Sequence, residues 1–154
     1  MPETFGQRIL YIWERNSGSF LRGAWNTMII ALISTFIGCI IGFIVGVIQT
    51  IPTDKKKNPV KWFFVGILKF ILNVYVEVFR GTPMMVQLLI MWFVVWASAR
   101  STDSNMMKCA ILAFGINSGA YVAEIFRSGI MSIDKGQMEA GRSVGLTYAA
   151  TMRY

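Results

Sequence analysis

Thr27 to Ile48 is a run of 22 residues without a charged side chain. No other feature narrows the possible folds so sharply. A helix of that length covers about 33 Å, enough to cross roughly 30 Å of hydrocarbon. Within lipid the backbone must satisfy its own hydrogen bonds, so a single run of this kind has to be helical. A cleaved signal peptide is the rival reading, because Arg8, Arg15 and Arg22 precede the run. Such a leader has an apolar region of about 7–15 residues ending at a small-x-small site. Gly46-Val-Ile-Gln-Thr50 offers no convincing site and more apolar spans follow, so a retained span is expected.

Composition agrees with that expectation. Of 154 residues, 55% are hydrophobic and 15% charged, and the mean hydropathy is +0.53, values that belong to membrane proteins. The net charge of +7 could suggest nucleic acid. The bases cluster beside apolar runs, however, as Lys55, Lys56, Lys57 and Lys61 do, and positive-inside bias explains that more simply than phosphate binding. Cys39 and Cys109 lie within apolar runs, where thiols behave as small hydrophobes. They form neither a disulfide framework nor a metal spacing. The chain has no histidine, which removes His-based triads, zinc-protease motifs and imidazole proton relays.

The expected organisation is all-α and integral to the membrane, with three transmembrane helices, an interfacial helix and a short polar helix near the end. Residues 1–23 form an amphipathic lead-in, with Ile9, Leu10, Ile12, Trp13 and Phe20 interleaved with charge. The first span, 25–49, carries Ser34, Gly38, Gly42 and Gly46 at four-residue intervals, a seam that lets another helix approach closely. A basic loop, 52–61, is bracketed by Pro52 and Pro59. Residues 62–99 combine an interfacial segment with the second span. Lys69, Asn73 and Glu77 put one polar stripe on Trp62–Phe79, as in a helix lying at the interface or packed on a partner. The largely apolar run 84–99 covers about 24 Å and needs upstream residues to cross. The third span is 106–126, and 127–154 follows as a polar loop.

Two places could carry chemistry. On the third span, Asn117, Tyr121, Glu124 and Ser128 share one face, with Gly115, Gly119 and Ala123 roughly opposite. A carboxylate within the membrane is costly and is functional or paired inside the bundle. Simple ion pairing or snorkelling of Glu124 and Arg127 at the interface is the competing account. The other place is the helix break Arg80-Gly81-Thr82-Pro83. Thr82 would cap the next helix and Pro83 would begin it. The exposed N–H groups of such a half-helix can receive a substrate carboxylate, with Gln87 one turn in. A kink without a ligand fits the same spacing, with Arg80 anchoring at headgroups.

Three blocks then stand in order: Tyr75-Val-Glu-Val-Phe-Arg-Gly-Thr-Pro-Met-Met-Val-Gln-Leu88, Asn117-Ser-Gly-Ala-Tyr-Val-Ala-Glu-Ile-Phe-Arg-Ser-Gly-Ile130, and Gly136-Gln-Met-Glu-Ala-Gly-Arg-Ser-Val-Gly145-Leu146. The last resembles the Glu-Ala-Ala loop of ABC importer permeases, where a cytoplasmic helix plugs into the ATPase. Glu139, Ala140 and Gly145 fit the family spacing, and Gly141 replaces the second alanine. Together the blocks resemble the polar amino acid permeases, including the histidine/glutamine/arginine importers. The family's next loop residue, an isoleucine, would fall one position beyond Tyr154. The expectation is therefore an incomplete permease, cut within its coupling loop, supplying the first three of five spans.

That resemblance implies a membrane-spanning subunit of an ATP-driven amino acid importer in the bacterial plasma (inner) membrane. It does no covalent chemistry itself and binds no cofactor; ATP and Mg belong to a partner ATPase. The other implied partners are an extracytoplasmic amino-acid-binding protein and a second permease subunit, identical or related. Gly136, Glu139, Ala140, Gly141, Arg142 and Gly145 would form the ATPase-coupling helix. Thr82, Gln87, Asn117, Tyr121 and Glu124 would line the substrate route, beside the break at Arg80, Gly81 and Pro83. If the lysine loop and the coupling loop are both cytoplasmic, residues 62–97 cross once and the N-terminus lies outside. Two other classes compete with this reading. An intramembrane hydrolase needs a nucleophile within reach of a base, but Ser34 and Ser118 sit among packing residues and Lys69 and Lys108 near span ends. A non-transporting membrane partner is the other.

Overall fold

The computed structural model describes residues 4–52, 58–99 and 103–153. Lys55, Lys56 and Lys57 of the basic loop lie outside the described residues. The described residues form helices α1 (Phe5–Thr50), α2 (Pro59–Gly81), α3 (Met84–Ile90), α4 (Asp103–Met131), α5 (Lys135–Ser143) and α6 (Tyr148–Arg153). A π-helical turn, Met91–Val95, and a 3₁₀ turn, Ala97–Ala99, follow α3.

The expected lead-in and first span are one continuous helix. Nothing between residues 23 and 25 interrupts the backbone ladder, so α1 runs for 46 residues, about 69 Å. The segment read as an interfacial preamble forms the helix α2. Pro59 sits at its first turn, where its missing N–H costs nothing, and the 23-residue α2 is long and apolar enough to cross a membrane alone. Together with α1 and Asn105–Met131, it makes three such helices among the described residues.

The core is the contact of α1 with α4. Ser34, Gly38, Gly42 and Gly46 are all buried on α1. Gly38 faces Ser118, Gly42 faces Val122, and Gly46 faces Phe126. Each four-residue step on one helix meets a four-residue step on the other, so the two run parallel. Their backbones are too close for side chains: a Cβ on Gly42 would stand 2.5 Å from the Val122 Cβ. On α4, Ala120 and Ala123 are fully buried, with 0% exposure. Gly115 lies against Ile37, and Gly119 against Ile41 and Tyr75. Lipid offers no hydrophobic drive between helices, so such small-residue seams gain their stability from close packing. Ser34 Oγ adds a 3.1 Å hydrogen bond to the Ile111 carbonyl.

The middle of α2 meets the end of α1, and α2 packs along α4. Lys69 Nζ donates to the Ile51 carbonyl at 2.6 Å, and Gln49 Nε2 to Asn73 Oδ1 at 2.9 Å. Val45, Val76 and Ala123 form a small cluster with Ile41, Leu72 and Tyr75. The polar stripe of α2 thus turns partly toward α1, where Lys69 meets a carbonyl left open by the helix end. Parallel α1 and α4 require an odd number of membrane crossings between them, which one passage by α2 and α3 supplies.

Candidate functional site

At the break between α2 and α3, Thr82 does not cap the following helix as expected. Its hydroxyl turns back to the Val78 carbonyl at 2.8 Å, and extended Pro83 precedes Met84 as the cap residue. The first bonds of α3 run from the Val86 and Gln87 N–H groups to the Pro83 carbonyl. The reason is geometric: with Pro83 extended and next to the helix, Thr82 is one residue too far back to reach those donors.

Gln87 also points inward, toward the break. Its Nε2 donates to the Phe79 carbonyl at 2.9 Å, the Thr82 carbonyl at 3.0 Å and Thr82 Oγ1 at 2.8 Å. The residue is only 8% exposed, and its Oε1 is buried without a hydrogen-bond partner. A small apolar cavity of about 180 Å³ lies alongside, bounded by Val78, Phe79, Val86, Ile90, Ala113 and Ile116 as well as Thr82 and Gln87.

Tyr121 and Glu124 belong to a second constellation. Glu124 pairs with Arg80 from the end of α2 at 3.6 Å and with Arg127 at 3.3 Å. The Ser128 hydroxyl donates to Glu124 Oε1 at 3.4 Å. The Arg80 guanidinium lies 5.8 Å from the Tyr121 ring centroid, within cation–π range. Arg80 is thus the cross-helix partner of Glu124, a pairing that the sequence alone did not name. The signal was present, since a carboxylate inside a span demands a cation and Arg80 begins the break. The cluster carries two positive charges against one negative and remains partly open.

Asn117 stands apart from both. It lines an open groove of about 520 Å³ between α1 and α4 with Thr27, Ser34, Thr35, Phe114 and Ser118. The five residues expected to line one route therefore occupy three places: Thr82 with Gln87, Tyr121 with Glu124, and Asn117 alone. Tyr75, which opens the first of the three sequence blocks but carries no role there, ties the region together by donating to the Ile116 carbonyl.

Beyond α4, the polar loop folds into α5 and α6. Asp134 caps α5 by accepting from the Gly136 N–H at 2.7 Å. The far end closes with Gly145 N–H to the Arg142 carbonyl and Leu146 N–H to the Gly141 carbonyl, both at 3.1 Å. That closure needs a left-handed residue, and Gly145 supplies it at φ +87°. The helix consequently stops at Ser143, and Gly145 lies in the turn that closes it rather than in the helix. Glu139 and Arg142 are both exposed. Gly141 is the reverse: a Cβ there would collide with Thr151 Cγ2 of α6. Tyr148 Oη donates to the Thr50 carbonyl at 3.3 Å, linking α6 to the end of α1.

Residues 63–154 match the family model described as "Binding-protein-dependent transport system inner membrane component". The chain is 36% identical over 118 residues to the L-cystine transport system permease protein of Bacillus subtilis (strain 168), covering 77% of this chain and 46% of that one. It is 33% identical over 134 residues to the glutamine transport system permease protein of Escherichia coli (strain K12), covering 87% and 56%. Among solved structures, it is similar to one titled "Crystal structure of an amino acid ABC transporter with histidines". The TM-score is 0.72 at 31% identity, over 100% of this chain and 63% of the other. The chain spans about half the length of the curated relatives it matches. With three helices able to cross a membrane and a family match over most of its length, this chain belongs to the binding-protein-dependent transport system inner membrane components.

Proposed function

We propose that this chain is part of the membrane-spanning subunit of an ATP-driven amino acid importer. In this reading it forms part of the translocation pathway in the bacterial plasma membrane, with α5 on the cytoplasmic side and the N-terminus outside. ATP and Mg are handled by a separate ATPase, and a binding protein delivers the cargo to a pair of permease subunits. The observation that carries the reading is α5 itself. It is a short polar helix, capped at both ends, that presents Glu139 and Arg142 outward directly after a membrane-length helix. A helix with so little apolar surface gains little by packing on its own chain, so its exposed charges are available to a partner. Gly136, Ala140, Gly141 and Gly145 shape that helix and its ends.

On the pathway side, Tyr121, Glu124 and Arg80 offer a partly exposed set of both charges, suited to a zwitterionic cargo. Thr82 and Asn117 complete the proposed lining, and Gln87 stands behind it with its amide bonded to the break. Support for an amino acid as cargo also comes from the relatives, whose names specify cystine and glutamine transport.

The test uses the full-length gene product, coexpressed with the ATPase and binding protein from the same source and reconstituted in proteoliposomes. Glu139→Ala with Arg142→Ala should abolish stimulation of ATP hydrolysis by the loaded binding protein. Full stimulation in that double variant would sink the coupling role of α5.

A further inference from the structure

The break between α2 and α3 contains a repair made by a side chain. In an unbroken helix the Phe79 carbonyl would accept from the backbone N–H of residue 83. Residue 83 is proline and has no N–H. The Gln87 amide takes its place at 2.9 Å, and the same nitrogen reaches both oxygens of Thr82. Three acceptors around one nitrogen also fix which way the amide faces, because the reverse orientation would set oxygen against oxygen. The remaining Oε1 is buried with no donor, so this side chain is committed to the backbone of the break even at the cost of an unpaired acceptor.

Two further observations bear on movement. Immediately after α3 the chain widens into the π-helical turn Met91–Val95, an irregularity that recurs at functional sites in helices. The cavity of about 180 Å³ between α2, α3 and α4 leaves room beside the break. A helix interrupted by proline has lost the ladder bonds that hold its two halves at one angle. A side-chain amide spanning the gap restores an angle, and it can be released without unfolding either half.

We infer that Gln87 is a positioning residue for transport: its amide splints the α2–α3 break and sets the angle at which α3 leaves α2. The kinetic part of this inference rests on the transporter reading above, whereas the structural part does not.

The experiment places spin labels at Phe70 on α2 and Val94 on the π-helical turn, both exposed, in the full-length permease in lipid nanodiscs with Cys39 and Cys109 replaced by alanine. The unmutated break should give a narrow distance distribution. Gln87→Leu, which keeps the volume and removes the donors, should broaden it. Adding Pro83→Ala to Gln87→Leu gives residue 83 an N–H and lets the extended break close into a continuous helix, so the distribution should narrow again about a different distance. In the reconstituted importer, Gln87→Leu should lose maximal uptake rate while the KM for cargo is retained, as expected when no cargo contact is removed.

An unchanged distribution in Gln87→Leu overturns the inference, as does a raised KM with unchanged distances, which would make Gln87 a cargo ligand. If Gln87→Leu does not fold, Gln87→Asn, with a shorter reach, is measured by the same criteria. Absence of uptake in the unmutated complex counts against the transporter reading, and the distance measurement still decides the splint.

Discussion

The Tyr75 hydroxyl donates a 2.5 Å hydrogen bond to the main-chain carbonyl of Ile116. It joins α2 to α4 at the level where Gly119 leaves room, since a Cβ on Gly119 would stand 2.9 Å from that hydroxyl. Tyr75→Phe keeps the ring and removes the bond. Side-chain hydrogen bonds between membrane helices contribute about 0.6 kcal/mol on average and up to about 1.7. A destabilisation in that range is expected, read as a shift in thermal unfolding of the detergent-solubilised protein. Gly119→Ala should cost at least as much, because it pushes the same hydroxyl away.

The α1–α4 seam sets apart two glycines that look alike in sequence. Gly42→Ala drives a methyl into Val122, 2.5 Å away, and should destabilise by about 1–3 kcal/mol through overpacking. Gly66, in the middle of α2, has nothing within 4 Å of a new Cβ. Gly66→Ala should leave stability unchanged or raise it by up to about 1 kcal/mol from helix propensity. Equal effects at the two sites, measured side by side by thermal unfolding, would contradict the packing described.

At Gly141 the alanine that the importer loop pattern calls for would strike the Thr151 side chain. Gly141→Ala should therefore loosen α5 from α6 and speed amide exchange across Lys135–Ser143. Thr151→Ala removes the obstructing methyl and hydroxyl, so the double variant should recover protection. Hydrogen exchange read by mass spectrometry separates the outcomes, and faster exchange in the double variant than in the single would refute the steric account.

Glu124 sits between Arg80 and Arg127, with side chains exposed by 30%, 42% and 44%. Ion pairs this open contribute less than about 1 kcal/mol. Glu124→Gln should thus barely move the unfolding temperature. Under the proposed function it should weaken uptake of cationic amino acids, and Glu124→Asp should restore part of it. Unchanged uptake kinetics in Glu124→Gln would remove this residue from the pathway.

Much of the architecture was legible in the sequence because bilayer thickness acts as a ruler. Uncharged length alone marked Thr27–Ile48 as a crossing, and the four-residue spacing of Ser34, Gly38, Gly42 and Gly46 marked the face that would be packed. The spacing could not name the partner, since a small-residue stripe complements any helix that comes close. Boundaries were less legible. The lead-in and first span merged because no breaker separates them, and α5 ended at Ser143 because Gly145 takes up the left-handed turn.

The candidate site was the least legible part. Period told that Asn117, Tyr121 and Glu124 share a face of one helix, yet a face is wide enough to meet several neighbours. Which neighbour each residue met was decided in three dimensions. Asn117 went to the α1 groove, Glu124 to Arg80, and Gln87 to the backbone of its own helix break. By itself the sequence determined that this chain is helical, membrane-spanning and small-residue packed, because those properties follow from local composition and period. Tertiary structure decided the pairings of Tyr75 with Ile116, Arg80 with Glu124 and Gly141 with Thr151. Hydrogen bonds, charges and steric contacts depend on distances of a few ångströms between residues far apart in the chain, and no local pattern encodes them.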